Sequence, residues 1–316
     1  MSSPFVECTR GGHRESIHPF SAVVVERGDV TWSVGEDVAS FWRSACKPFQ
    51  LSNSLAHLAS SVSARDFTDE ELAVGAASHS GQPEHVALVE KLLARFGLSQ
   101  DQLQCGGHLP VHEPSAKRVE TPRNLHNNCS GKHTFMLAAC KAQGWDLDYR
   151  APTHPLQQKN RALLEALGGA PLQLGIDGCS IPTFFAPLSA MARTWSRLAE
   201  AMRDDIDSPL ARIGLVMHRA PFFVSGDERL DLRVTQQAGD TLAVKVGAEG
   251  LFCIARPQRR QGFAVKVHSG NADVCAVAVK WVLAQHGVSL GGEWPWAVVK
   301  NVRGVEVGER RVIAAG

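Results

Sequence analysis

No stretch of the 316-residue chain approaches 18 consecutive apolar residues, so no membrane-spanning helix is expected. Charge of one sign is also lacking. Lys and Arg number 33 against 32 Asp and Glu, which gives neither nucleic acid nor an anionic membrane anything to bind. The opening MSSPFVECTRGGHRES has no basic start followed by an apolar run, so no secretory signal is expected and the expected location is the cytoplasm. The 13 histidines form no H-E-x-x-H pair. The eight cysteines, at 8, 46, 105, 129, 140, 179, 253 and 275, are too scattered for a disulfide framework.

What is present is the composition of a globular protein, 44% apolar and 21% charged, long enough to bury a large core. SAVVVERGDVTWSVG (21–35) alternates about a turn and predicts a hairpin. Apolar period 3.6 predicts a helix between Phe41 and Ala59 that begins near Ser44. Thr68 caps a second helix, with Glu71 three residues on, and PEHVALVEKLLARFG gives a third. A polar loop over 105–128 leads to a helix from SGKHTFML that stops at Gly144. HPLQQKNRALLEALGG is helical, LQLGIDGCSIPTF is a strand running into a glycine turn, and helices follow near 188–203 and 207–219. Strands return after Thr241, with one more helix at ADVCAVAVKWVLAQHG and a strand near 296–302. These elements predict an α/β (α+β) fold. Its sheet is mainly antiparallel, made of N- and C-terminal strands and flanked by helices, with a helical lobe inserted. Residues 1–316 are expected to form a single domain of two joined lobes.

Three stretches can carry chemistry. In RSACKPFQ, Ser44 lies three residues before Lys47, one helix face with a hydroxyl and an amine. A serine needs a neighbouring base to become a nucleophile, and a buried lysine can serve as one. VKVGAEG offers Lys245 two residues before Gly247, the K-x-G element of penicillin-recognising serine enzymes, but with Val246 where those have Thr or Ser. ASHSG places Ser78 and Ser80 where a helix turns into a loop, and spacing does not choose between them. In NNCSGKH, Cys129 and Lys132 stand at a helix start, and Cys179 lies beside Asp177 in IDGCS. Two thiolates and an amine could hold Zn2+. The amides of Ser130 and Gly131 could instead cradle an anion.

RSACKPFQ, ASHSG, CGGH, NNCSGKHTFMLA, IDGCSIPTF and VKVGAEG, in that order from about Arg10 to Lys266, resemble the L-asparaginase II family of thermolabile, Rhizobium-type asparaginases. The resemblance implies a fold like the serine β-lactamases and glutaminases, and hydrolysis of L-asparagine by a homodimer. It matches Ser44 with Lys47 and Ser78 with Lys245 as two catalytic pairs. It makes Cys129, Lys132 and Cys179 zinc ligands, and Arg43, His133 and Asp177 residues lining that site. It also selects Ser78 over Ser80 and Lys245 over Lys266. One departure is VKVHSGNAD, with Ser269 where the family carries an aspartate. Two rival mechanisms stay open: a zinc hydrolase using metal-bound water, and a penicillin-recognising serine protein.

Overall fold

The predicted hairpin forms at Arg27 and Gly28, both in the left-handed region (φ 52° and 91°), which a two-residue turn requires. It joins β2 (His13–Glu26) to β3 (Asp29–Val34) with Glu26 opposite Asp29. We describe residues 3–58 and 62–314 of a computed structural model. The other strands are β1 (Phe5–Arg10), β4 (Ala39–Phe41), β5 (Gln173–Ile176), β6 (Pro182–Pro187), β7 (Ala243–Val246), β8 (Leu251–Arg256), β9 (Gln261–Val267), β10 (Val298–Lys300) and β11 (Glu306–Ile313). The helices are α1 (Lys47–Leu58), α2 (Asp69–Gly75), α3 (Pro83–Arg95), α4 (Glu113–Ala116), α5 (Ser130–Gln143), α6 (Pro155–Gly168), α7 (Leu188–Asp204), α8 (Pro209–Arg219), α9 (Pro221–Ser225), α10 (Leu230–Gln237) and α11 (Ala272–Gln285).

Antiparallel pairing orders the main sheet β10-β11-β1-β2-β9-β8-β7, with β3 on the second half of β2. The expected mainly antiparallel sheet of N- and C-terminal strands is therefore present, and residues 47–237 supply the helices between them. Period-2 alternation divides the core. Val23, Val25, Cys253, Ala255 and Ala264 face a cluster shared with α1, α5 and α7, while Phe20, Ala22, Val24, Phe263 and Val265 face α11. Gly262 explains how α7 sits so close to β9. A Cβ there would lie 2.1 Å from Ala192 O and Ser196 N, so only glycine allows the contact.

Several elements differ from expectation. The stretch after Leu172 is a hairpin, β5–β6, that joins β4 in a separate three-stranded sheet, so Phe41 ends a strand and the helix starts later. The predicted last residue of that helix, Ala59, lies outside the described residues. β1 and β11 were not foreseen, because charged residues mask their alternation. Glu7 is buried on β1 and ion-paired with Arg14 (2.5 Å) and with Arg311 of β11 (3.1 Å).

Candidate active site

Two helix starts and one helix end build the site. Residues 43–46 form a 3-10 turn that runs into α1, so Ser44 lies on the turn and Lys47 begins the α-helix. α2 is held by the expected capping box, with Glu71 N–H donating to Thr68 Oγ1 (3.3 Å) and Thr68 N–H to Glu71 Oε2 (3.0 Å). It ends just before Ala77 and Ser78. α5 follows directly on Cys129 and packs on α2, because Gly131 has no side chain. A Cβ on Gly131 would fall 2.1 Å from Val74 O.

Lys47 is buried, and its amine points out of α1 toward α2. Nζ donates to Ala77 O (2.6 Å), lies 2.8 Å from Ser78 Oγ, and reaches Asn128 O at 3.5 Å. The partner of Lys47 is thus the hydroxyl 31 residues away, and Ser44 Oγ has no hydrogen bond among the described residues. Ser44 and Ser78 nevertheless line one cavity of about 290 Å3, with Asn128, Asp231, Val246 and Gly247. Ser80 is turned away and donates to Ser225 O (2.7 Å). Ser78, not Ser80, is the serine of that loop that meets a lysine.

Lys245 is buried on β7 and does not bond Ser78. It ion-pairs with Asp231 of α10, Nζ to Oδ1 at 3.3 Å. Asp231 Oδ1 also accepts from Val246 N–H (2.8 Å). Burial pulls the Lys245 ammonium down to about 8; Asp231 works against this, while Lys47 and Arg229 add repulsion. Lys266 instead donates to the Glu249 and Val267 carbonyls at the loop beyond β9. Ser269 there contacts His18 Nδ1 (2.9 Å).

The thiol cluster adjoins the same lysine. Lys132 Nζ donates to Cys179 Sγ (3.2 Å). Cys129 Sγ lies 3.1 Å from Asn128 Oδ1. A hydrogen bond from Cys179 holds Cys129 well below the usual thiol range, against burial and with Lys47 and Lys132 assisting, while the same bond and burial push Cys179 up. Burial pulls Lys132 down, but Cys179, Cys129 and Asp177 outweigh it and hold the ammonium. Arg43 Nε donates to Asp177 Oδ1 (2.6 Å) beside this cluster. Against burial, Lys132 and Arg43 keep that carboxyl below its ordinary value.

His133 follows Lys132 on α5. It is fully buried, Nδ1 meets Tyr149 Oη at 2.6 Å, and burial pushes its pKa well down. Neither His133, Arg43 nor Asp177 lines the cavity. Among the described residues no group of three or more His, Cys, Asp or Glu is set to hold a metal ion. The donors expected for zinc are two thiols and an amine; Lys132 Nζ and Cys179 Sγ meet at 3.2 Å, and the chemistry of the set fits the ion.

The L-asparaginase II family matches residues 6–312. The chain belongs to that family. No curated protein matches the chain. Among solved structures, Mglu in its native form is similar at TM-score 0.47 and 14% identity, covering 86% of this chain and 66% of that one. Mglu in its glutamate form gives 0.49 at 14%, covering 87% and 62%. A beta-lactamase from Mycobacterium bovis gives 0.46 at 12%, covering 84% and 94%. The chain therefore spans less than two thirds of the length of the Mglu structures. No helix among the described residues is long and apolar enough to cross a membrane.

Sequence reasoning passed over Asp231 and Asn128. Asp231 stands in the first turn of α10, where an acid is ordinary, and nothing in its neighbours marks it. Asn128 was readable only as part of the NNCSGKH motif.

Proposed function

We propose that this L-asparaginase II member hydrolyses L-asparagine to L-aspartate and ammonia through a serine ester. The observation that carries the reading is Lys47 Nζ at 2.8 Å from Ser78 Oγ on the wall of a cavity that Ser44 also lines. Ser44 is half-buried with an uncommitted hydroxyl, so it is the group the substrate meets, while Ser78 and Lys47 are buried and already joined.

Ser44 Oγ adds to the side-chain amide carbon, and its proton passes through Ser78 to the Lys47 amine. The carbonyl oxygen becomes an oxyanion. Ala248 lines the cavity and its main-chain N–H makes no hydrogen bond among the described residues, so it is the donor assigned to that oxygen. Collapse breaks the C–N bond, and ammonia leaves with the proton returned by Lys47. Water then attacks the ester, losing its proton along the same relay, and L-aspartate and free Ser44 are restored. Lys245 does not line the cavity but, paired with Asp231, adds positive potential from behind its wall. Zinc would be held by Cys129, Lys132 and Cys179, where it supplies a fixed positive charge beside the cavity. The same reading takes the protein as a cytoplasmic homodimer.

The test is ammonia release from L-asparagine, with mass spectrometry of quenched enzyme. Ser44→Ala is expected to abolish the covalent adduct and lower kcat by several orders of magnitude. An aspartyl group found on Ser78 exchanges the two roles. Turnover surviving in the double variant Ser44→Ala/Ser78→Ala, but lost on chelation, overturns the serine reading in favour of metal-bound water.

A further inference from the structure

We propose that Asp231 receives the ammonium group of the substrate, and so restricts the enzyme to amides of α-amino acids. The proposal rests on the amide-hydrolase reading of the same cavity.

Asp231 lies on the cavity wall and is 1% exposed. Its two oxygens have different fates. Oδ1 is fixed twice, by Val246 N–H at the edge of β7 and by Lys245 Nζ. Oδ2 is buried and has no hydrogen-bond partner among the described residues. A buried carboxylate oxygen left without a donor is costly, and the two bonds on Oδ1 keep the group from rotating to find one. The missing donor must therefore enter with a molecule that fills the cavity and displaces its water.

The surroundings say which donor. Glu228 and Glu249 line the same cavity, and among the described residues Arg229 is the only cationic side chain on its wall. Three carboxylates to one guanidinium favour a cationic donor over a neutral one. An ammonium also gives the stronger, charge-assisted bond. In an amino-acid amide the ammonium sits a few bonds from the scissile carbonyl. Anchoring it on Asp231, beside Lys245 and across the cavity from the serines, fixes the carbonyl rather than merely retaining the substrate. An analogue without the amino group would bury Oδ2 still unpaired, and a site built around a hydrogen bond discriminates strongly against a ligand that lacks it.

The experiment compares kcat/KM for L-asparagine and for succinamic acid, the same molecule without the amino group, in wild type and in Asp231→Asn. The wild type is expected to prefer L-asparagine by at least about 10²-fold. Asp231→Asn should collapse that preference to within about threefold, since its side-chain oxygen still accepts from Val246 N–H but its other atom repels an ammonium. Any effect transmitted through Lys245 strikes both substrates and cancels in the ratio. Equal losses on both substrates, with the preference kept, overturn the proposal and leave Asp231 as a partner of Lys245 alone. Calorimetric binding of L-aspartate against succinate to the wild type supplies the second measurement should the variant not fold; equal affinities also overturn the proposal. If the wild type hydrolyses neither amide, the asparaginase reading has failed. A preference for L-aspartate over succinate would then still uphold the ammonium site.

Discussion

Replacing Gly131 by alanine adds one methyl group at the crossing of α2 and α5. The new Cβ would lie 2.1 Å from Val74 O, roughly 1.3 Å short of ordinary contact. Backbone stands on both sides, so no rotamer relieves the clash and the two helices must separate. Overpacking of this kind costs about 1–3 kcal/mol, while alanine in place of glycine returns up to about 1 kcal/mol of helix propensity. The expected net is a loss of about 1–2 kcal/mol, read as a lower urea midpoint at unchanged slope. The displacement also travels. Val74 O accepts from Ala77 N–H (3.2 Å), and Ala77 O and Ser78 Oγ are what hold the Lys47 amine. A shift of about 1 Å in that group is expected to lower kcat by about 10²-fold. Steady-state ammonia release and urea unfolding on one preparation test both halves. A Gly131→Ala protein as stable as wild type, with kcat within about threefold, would refute the contact as the device that sets the serine–lysine geometry.

Lys245 gives two further outcomes. Its ammonium loses its proton near pH 8 in the folded protein and near 10.5 when unfolded. Between these values the unfolded chain binds more protons, so stability rises with pH through that window by roughly 3 kcal/mol, and is flat just below it. Urea unfolding from pH 7 to 10 measures the rise, which Lys245→Met should remove. At pH 7 Lys245→Met is expected to lose about 3–5 kcal/mol, because Asp231 is left as a buried unpaired charge, and Lys245→Met/Asp231→Asn should recover most of it. For the thiols, elemental analysis is expected to find about one zinc per chain, with Cys129 and Cys179 sulfurs near 2.3 Å by X-ray absorption. Cys179→Ser should lose the metal and raise KM more than it lowers kcat. A metal-free wild type of full activity contradicts this.

How much was legible follows from how far apart in the chain the interacting groups lie. The α2 capping box, the β2–β3 turn and the Gly144 stop are local, and each was readable from a few residues. Ser44, Lys47, the pair Ser78 and Ser80, and the Cys129–Lys132 start stood out for the same reason, as short motifs at helix ends. Which lysine meets which serine did not. Spacing along RSACKPFQ joins Ser44 to Lys47, yet the amine is drawn to a hydroxyl in the loop after α2, where Ala77 O, and Asn128 O from the segment before α5, complete its shell. Asp231 was invisible because its role depends on β7 packing beside α10. β1 and β11 were missed because their charges pair across strands some 300 residues apart in sequence, Glu7 with Arg311.

That last pairing has a consequence for how the chain is made. β1 bonds β2 on one side and β11 on the other, with Phe5 opposite Ile313. While the polypeptide is being synthesised, one edge of β1 has no partner until nearly all the remaining residues have emerged. At about 5–20 residues per second, that is roughly 15–60 s with an open strand edge beside a growing apolar core. Pairings this distant also slow folding once the chain is free. The nascent protein should therefore depend on a holding chaperone more than its finished stability suggests. Slowing synthesis of the segment just before β11 should increase aggregation, whereas the same delay placed before β1 should not.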